Sequence, residues 1–373
     1  MVTPLHFGPG RPTDSVTLLD GGREAFPRML AAIRDARESI YLEVYRFAQD
    51  GVGDEFREAL SAAARRGVRV RVVLDGWGSA LDGRLLQANL AADGCDVRIF
   101  HPLSALIAGR LRRTHRKILL VDREVAFLGG INISDEYGHV GPGQAPDVAE
   151  RKPEWLDLAV EVRGRAALAL DERLRGGDHR TRSGPIRIRL SGMGGARPLR
   201  QRYRKAFGAA RREILAAHAY FLPDRRFVRS ITAAARRGVK VTLLLAGRSD
   251  VPLARTATIR LYRKLLAAGV DIREWTRSVH HAKVAVVDGK RLLLGSFNLD
   301  PLSLSNLEAL VEVNDAAVAE TGRRWIESRL AEARRVVSHD LTRRPALARW
   351  AIETVGVAVA RSAEWVGRLL SLR

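Results

Sequence analysis

The chain has 373 residues, 46% of them hydrophobic, and carries a net charge of +21 from 63 Lys and Arg against 42 Asp and Glu. That apolar content excludes a disordered chain and suffices for one large domain or two of ordinary size. The charge points to a polyanionic partner, nucleic acid or acidic lipid, without choosing between them. A single cysteine, Cys95, excludes an internal disulfide framework and a cysteine-built zinc site, fits a reducing cytosol, and reads as a small buried apolar residue.

From the N-terminus, Met1–Asp20 contains Pro4, Gly8, Gly10 and Pro12 and no apolar core of signal-peptide length, so secretion is not indicated. Elsewhere Arg interrupts every apolar stretch well before the roughly eighteen residues that span a bilayer. Membrane contact is therefore expected to be peripheral.

The predicted elements then come twice. A helix end feeds a strand over Ala36–Phe47, and again over Ala209–Phe221. Ala62-Ala-Ala-Arg-Arg-Gly-Val-Arg-Val-Arg-Val-Val-Leu-Asp75 returns as Ala233-Ala-Ala-Arg-Arg-Gly-Val-Lys-Val-Thr-Leu-Leu-Leu-Ala246, each reading as helix end, glycine cap and buried strand. Leu90–Arg98 and Leu265–Arg273 repeat the same helix, glycine and strand. The alternation predicts an α/β fold: two pseudo-twofold-related α/β/α lobes, each with a mainly parallel sheet, packed face to face. Turn-forming residues over 176–195 place the boundary, giving lobes at 1–180 and 181–344.

The chemistry-bearing residues fall at matching places. His115, Lys117, Asp122, Gly129 and Asn132 recur as His281, Lys283, Asp288, Gly295 and Asn298 with the same spacing, a chance below about one in ten thousand. Each motif runs into an apolar strand that ends at a turn, Asp122-Arg123 or Asp288-Gly289. Residues two apart on a strand share a face, so each histidine stands beside its lysine. Two histidines and two lysines meeting at the interface of the lobes suit a phosphodiester: one imidazole attacks phosphorus and the other protonates the departing alkoxide. The ammonium groups, with Asn132 and Asn298 as neutral donors, offset charge on the non-bridging oxygens, so neither metal nor cofactor is required. An attacking histidine needs a carboxylate on its far nitrogen. Leu156-Asp-Leu-Ala-Val-Glu-Val162 parallels Leu307-Glu-Ala-Leu-Val-Glu-Val313, which supplies Asp157 and Glu308 as orienting carboxylates. Asp122 and Asp288, at turns, read as backbone caps or salt-bridge partners more readily than as catalytic groups.

The double pattern H-x-K-x4-D with G-[GS]-x-N resembles the signature of the phospholipase D superfamily over nearly the whole chain. Gly295-Ser-Phe-Asn298, Leu299-Asp-Pro-Leu-Ser303, Asn306-Leu-Glu308, and Gly129-Gly-Ile-Asn132 with Tyr137 look like bacterial cardiolipin synthases, of the type without N-terminal membrane helices. The resemblance implies transfer of a phosphatidyl group from one phosphatidylglycerol to another through a phosphohistidine, releasing glycerol. It makes His115 the nucleophile and His281 the acid, although the symmetry leaves the exchange of roles open. It implies substrate contact at Ser296 and Gly130; Gly130 stands where many relatives have that serine, so one hydroxyl donor is lost. It also implies a peripheral protein at the cytoplasmic side of the membrane, with anionic phospholipid as partner. A phospholipase D-type hydrolase, or a nuclease served by the basic charge, is the rival, although no nucleic-acid-binding signature is present.

The remaining histidines, His6, His101, His139, His179, His218, His280 and His339, have no matched partner and read as surface or structural residues. Arginine-rich stretches at Arg110–Arg113, Arg197–Arg212 and Asp224–Arg229 suit solvated helix faces or acidic lipid equally. Leu103, Leu106 and Ile107 fit acyl chains or the core. The tail 345–373 reads as an amphipathic helix starting after Pro345, with Leu347, Ala351, Val355, Ala358, Trp365, Leu369 and Leu372 on one face, suited to the membrane interface ahead of docking on the protein body, which has the same pattern.

Overall fold

The computed structural model describes residues 14–106, 112–139, 153–176 and 184–339. The expected tail helix, His6, Ile107, Arg110 and His179 lie outside the described residues, as does the side chain of Leu106. The chain forms two compact units. The first runs to Leu190 and takes in two short segments of the second half, Leu294–Ser296 and Leu307–Val311; the second comprises Ser191–Leu293, Phe297–Asn306 and the chain from Glu312.

In the first unit the elements are β1 (Ser15–Asp20), α1 (Gly21–Asp35), β2 (Ser39–Val44), α2 (Gly51–Arg65), β3 (Arg69–Asp75), α3 (Gly83–Ala92), β4 (Asp96–Phe100), β5 (Ile118–Val121), β6 (Val125–Gly129), β7 (Leu158–Arg163), α4 (Arg165–Leu174) and β8 (Ile186–Leu190). A seven-stranded sheet has the order β1-β7-β6-β5-β2-β3-β4. Only β2, β3 and β4, the strands joined by helices, are parallel; the other neighbours are antiparallel. The expected mainly parallel sheet is thus corrected to a mixed one. The reason is local: β5 and β6 are joined by a turn closed by Glu124 N donating to Val121 O at 3.0 Å. So short a link can only reverse the chain.

The central turn residues Asp122 and Arg123 both have positive φ, 49° and 61°. Asp tolerates this left-handed region better than most residues because its short carboxylate hydrogen-bonds backbone nearby. Here the Asp122 carboxylate accepts from the backbone N–H groups of Arg37, Glu38 and Ser39 at 2.9, 2.8 and 2.8 Å, fixing the start of β2. Burial by itself would raise the Asp122 carboxyl, but the amides of Ser39, Arg37 and Glu38 outweigh it and hold its pKa below the ordinary carboxylate value.

The second half of the chain repeats this plan with α5 (Arg197–Ala209), β9 (Glu213–His218), α6 (Arg225–Arg236), β10 (Lys240–Ala246), α7 (Pro252–Leu266), β11 (Asp271–Trp275), β12 (Lys283–Val287), β13 (Arg291–Gly295), β14 (Ala309–Val313), α8 (Ala316–Glu332) and β15 (Arg334–Val336). Strands follow in the order β15-β11-β10-β9-β12, with β9, β10 and β11 parallel. Asp288 has φ 55° and accepts from the amides of Arg211, Arg212 and Glu213, as Asp122 does in the first unit. Gly67 and Gly238 end the two repeated helices with φ near 90°, the left-handed region that glycine enters without penalty.

Apolar stripes of the helices cover the sheets. Phe26 of α1 meets Phe56 of α2 edge to face at 5.6 Å, and Phe207 of α5 meets Phe227 of α6 at 5.5 Å. All four rings are fully buried, each worth about 1.5–3 kcal/mol in transfer free energy. Cys95 is also buried. Among the described residues no helix is long and apolar enough to cross a membrane.

Asp122→Ala strips three amides of their acceptor and is expected to lower unfolding stability by about 1–3 kcal/mol in urea titrations. An unchanged midpoint would show that the carboxylate does not hold β2 in place.

Candidate active site

His115 lies just before β5, in a segment fixed from several sides. Its amide donates to Leu307 O at 2.8 Å, and Leu307 N donates to Arg113 O at 2.9 Å, so Thr114 and Leu307 form a parallel bridge. This pairing brings Glu308, the next residue, against the imidazole: His115 Nδ1 lies 3.2 Å from the carboxylate. Glu308 is completely buried and His115 nearly so. A carboxylate in that position keeps the proton on Nδ1 and leaves the lone pair on Nε2, the nitrogen suited to attack.

Glu308 has further support from its own hairpin. Ser296 Oγ donates a short hydrogen bond to its carboxylate and accepts from Ala309 N at 3.0 Å. Ser296 is fully buried, so the hydroxyl expected to touch substrate is instead engaged in holding Glu308. Lys117 Nζ donates to His115 O at 2.9 Å and lies 5.0 Å over the ring of Tyr45, whose edge also meets His115 at 5.0 Å.

Asn132, read from the sequence as a donor to phosphate oxygens, bridges two parts of its own unit. Its Oδ1 accepts from Arg46 N at 3.2 Å and its Nδ2 donates to Tyr137 Oη at 2.8 Å. Asp122 sits at the opposite end of β5 from His115, where its backbone role places it away from the imidazole.

Gly130 and Asp157 form a coupled pair. A Cβ on Gly130 would lie 2.3 Å from Asp157 Oδ1 and 2.7 Å from its Cγ, so the carboxylate occupies the space a serine would need. The halves therefore solve one packing problem in two ways: a long carboxylate with serine in one, a short carboxylate with glycine in the other. Asp157 Oδ1 also accepts from Leu158 N at 2.8 Å.

In the second unit Lys283 opens β12 and donates to His281 O, with Nζ 2.9 Å from His281 Nδ1. Tyr220 meets the His281 ring edge to face at 6.2 Å, and its hydroxyl donates to Asp250 at 2.6 Å. Asn298 is buried, and among the described residues its Oδ1 has no hydrogen-bond partner.

Several surrounding residues were not anticipated. Asp75, fully buried at the end of β3, accepts from Thr114 N at 2.8 Å. Burial raises its pKa, against the lowering effect of the amides of Gly78, Trp77 and Thr114. Glu43, buried on β2, accepts a short bond from Thr114 Oγ1 and one from Tyr41 Oη at 2.9 Å, and pairs with Arg116 at 3.4 Å. The burial of Tyr41, with Glu43 beside it, pushes the phenol pKa up. The sequence carried a signal for both carboxylates: the repeat puts Ala246 opposite Asp75, and the strand registers put Ala217 opposite Glu43. A charge interrupting a buried strand in one copy alone marks a local task.

His218 and His280, expected to be surface or structural, are both buried. His218 pairs in register with Lys283, and burial, then the charges of His280 and Lys283, push its pKa down to about 3. It is neutral across the physiological range.

Comparison with known proteins now adds to this geometry. Residues 29–137 and 203–330 match the family described as "Cardiolipin synthase, PLD-like domain". Cardiolipin synthase B of Escherichia coli (strain K12) is 36% identical over 328 residues, 84% of this chain and 79% of that protein. The chain belongs to the phospholipase-D-like cardiolipin synthase family. Cardiolipin synthase 1 of Bacillus anthracis is 31% identical over 79% of this chain and 62% of its own length. The crystal structure of phosphatidylserine synthase from Haemophilus influenzae Rd KW20 superposes with a TM-score of 0.71 over 98% of this chain and 97% of that one; at 13% identity this likeness speaks for the fold alone. Both matched stretches of the cardiolipin synthase family domain contain one His-x-Lys motif, His115-Arg-Lys117 and His281-Ala-Lys283.

Two outcomes follow from this geometry. Gly130→Ala is expected to cost about 1–3 kcal/mol by overpacking, and to cost much less in an Asp157→Ala background, since the clash partner is gone; additive losses in a double-mutant cycle would refute the coupling. For His218, the folded pKa of about 3 lies below the ordinary 6.5, so between those values the unfolded chain binds the extra proton and stability falls as pH falls. His218→Leu should flatten that acid limb in pH-dependent melts, and an unaltered slope would contradict it.

Proposed function

We propose that this protein is a phosphatidyltransferase that makes cardiolipin from two phosphatidylglycerol molecules through a phosphohistidine on His115. The observation that carries the reading is the buried contact between His115 Nδ1 and Glu308 at 3.2 Å, in a chain of the cardiolipin synthase family. The Glu308 carboxylate fixes the tautomer and stabilises the imidazolium character that grows as Nε2 attacks. A bond forms between Nε2 and phosphorus while the bond from phosphorus to the glycerol oxygen breaks, and His281 gives that oxygen its proton, releasing glycerol. In the second step a headgroup hydroxyl of another phosphatidylglycerol loses its proton to His281 and attacks phosphorus; the phosphorus–nitrogen bond breaks and His115 is restored. Lys117 and Lys283 offset charge on the non-bridging oxygens.

Asp157 is the matching orienting carboxylate in this reading. Asn298 retains its expected role as a neutral donor, whereas Asn132 contributes mainly by bracing Tyr137 and Arg46. Asp122 and Asp288 act through the backbone. The protein works as a peripheral protein on the cytoplasmic side of the membrane, drawn by its net charge of +21 to anionic phospholipid.

Incubated with phosphatidylglycerol vesicles and EDTA, the protein is expected to yield cardiolipin and glycerol in equal amounts. His115→Ala and His281→Ala should abolish product, and Glu308→Gln should reduce turnover by about a thousandfold or more. Phosphatidic acid in place of cardiolipin would convert the reading to a hydrolase, and cleavage of DNA without any lipid product would replace it with a nuclease.

A further inference from the structure

The first unit carries an apolar surface that the chemistry above leaves unused. After β3 the chain turns at Gly76 and exposes Trp77 at 53% and Leu81 at 96%, the latter almost wholly in solvent. Leu85 on α3 and Leu103 are exposed as well. These residues share one neighbourhood. The Arg113 guanidinium lies 5.1 Å over the Trp77 ring and donates to His101 O at 3.3 Å, and a Cβ on Gly76 would lie 2.3 Å from that same carbonyl, which brings Leu103 close to the loop.

The sequence around the tip is predominantly basic. From Val97 to Val121 the sequence contains no carboxylate; of its described cations Arg113 and Lys117 are buried, Arg98 and Arg116 pair with Asp96 and Glu43, and Arg112 is partly exposed. Within the loop and α3 the sole acid, Asp82, is offset by exposed Arg84. A projecting apolar tip beside exposed Arg84, on a chain of net charge +21, matches an anionic bilayer: tryptophan and leucine enter at the headgroup boundary, and guanidinium groups meet lipid phosphates. Nucleic acid offers no apolar layer for Leu81 to enter.

The root of the loop is rigid and tied to His115. Asp75 Oδ1 accepts from Trp77 N and Gly78 N at 2.9 and 3.0 Å, and its Oδ2 accepts from Thr114 N at 2.8 Å. Ser79 Oγ donates to Tyr45 O at 3.2 Å, and the Tyr45 ring lies against His115. One buried carboxylate therefore fastens both the exposed tip and the residue before the imidazole.

We propose that Trp77, Leu81, Leu85 and Leu103 form the surface by which the first unit seats on an anionic phospholipid bilayer. Docking itself follows from the exposed side chains and their charge; that it delivers lipid to His115 rests on the phosphatidyltransferase reading. The test is co-sedimentation of the full chain with sucrose-loaded vesicles of phosphatidylcholine, with and without phosphatidylglycerol. Wild type is expected to bind only the anionic vesicles. The doubly substituted chain, Trp77→Ser with Leu81→Ser, should bind them about tenfold or more weakly, at a temperature where its own melting curve shows it fully folded. Leu168→Ser, which removes an exposed leucine of α4, should bind as wild type does. Equal binding by the doubly substituted chain, or an equal loss with Leu168→Ser, would overturn the proposal. Wild-type vesicle binding that needs Trp77 and Leu81 but yields no cardiolipin would sustain docking and defeat the functional reading; cardiolipin synthesis with loop-independent binding would do the reverse.

Discussion

The contact between the His115 imidazole and the Glu308 carboxylate joins residues 193 positions apart, and much of the first unit is arranged to make it. An ionised carboxylate taken wholly out of water is costly unless it is hydrogen-bonded and charge-compensated. The structure meets that demand in layers: His115 on one side, the Ser296 hydroxyl on another, and the Thr114–Leu307 bridge holding the two chain segments in register. Loss of any layer leaves either a buried charge unsupported or an imidazole in the wrong tautomer. The proposed chemistry requires that these elements act together.

Duplication supplied two copies of the same hairpin, and the copies have diverged around it. The first has the buried acids Asp75 and Glu43 where the second has Ala246 and Ala217. It also has glycine at 130 with a short carboxylate at 157, where the second combines Ser296 with Glu308. The second has two buried histidines behind its lysine, His280 and His218, of which His218 is held neutral by burial. The divergence lies in the surroundings rather than in the motif residues, which fits two imidazoles with different tasks in one cycle. In such a cycle the environment, more than the residue type, sets which imidazole attacks and which transfers a proton.

The asymmetric acids also connect chemistry to surface. Asp75 is bound both to the segment of His115 and to the loop of Trp77, and it costs free energy to bury. A residue of that kind in one copy only is most simply understood as fixing the relation between an outer loop and an inner imidazole.

Much of this organisation was legible in the linear chain. The repeats at Ala62 and Ala233, the helix-ending glycines, the two motifs and the carboxylates Asp157 and Glu308 all follow from short-range rules: helix and strand periodicity, turn chemistry, and spacing within a few residues. The capping role of Asp122 and Asp288 was readable for the same reason, since a turn aspartate acts on nearby backbone. What the chain alone left open depends on strand order and on side-chain volume. Antiparallel pairing of β5 with β2, the contact of Asn132 with Arg46, the engagement of Ser296 with Glu308, the burial of His218, and the exclusion of a side chain at Gly130 all depend on segments brought together by the fold. Local propensity fixes which elements form, but only the folded packing brings Glu308, 193 residues away, against the imidazole of His115.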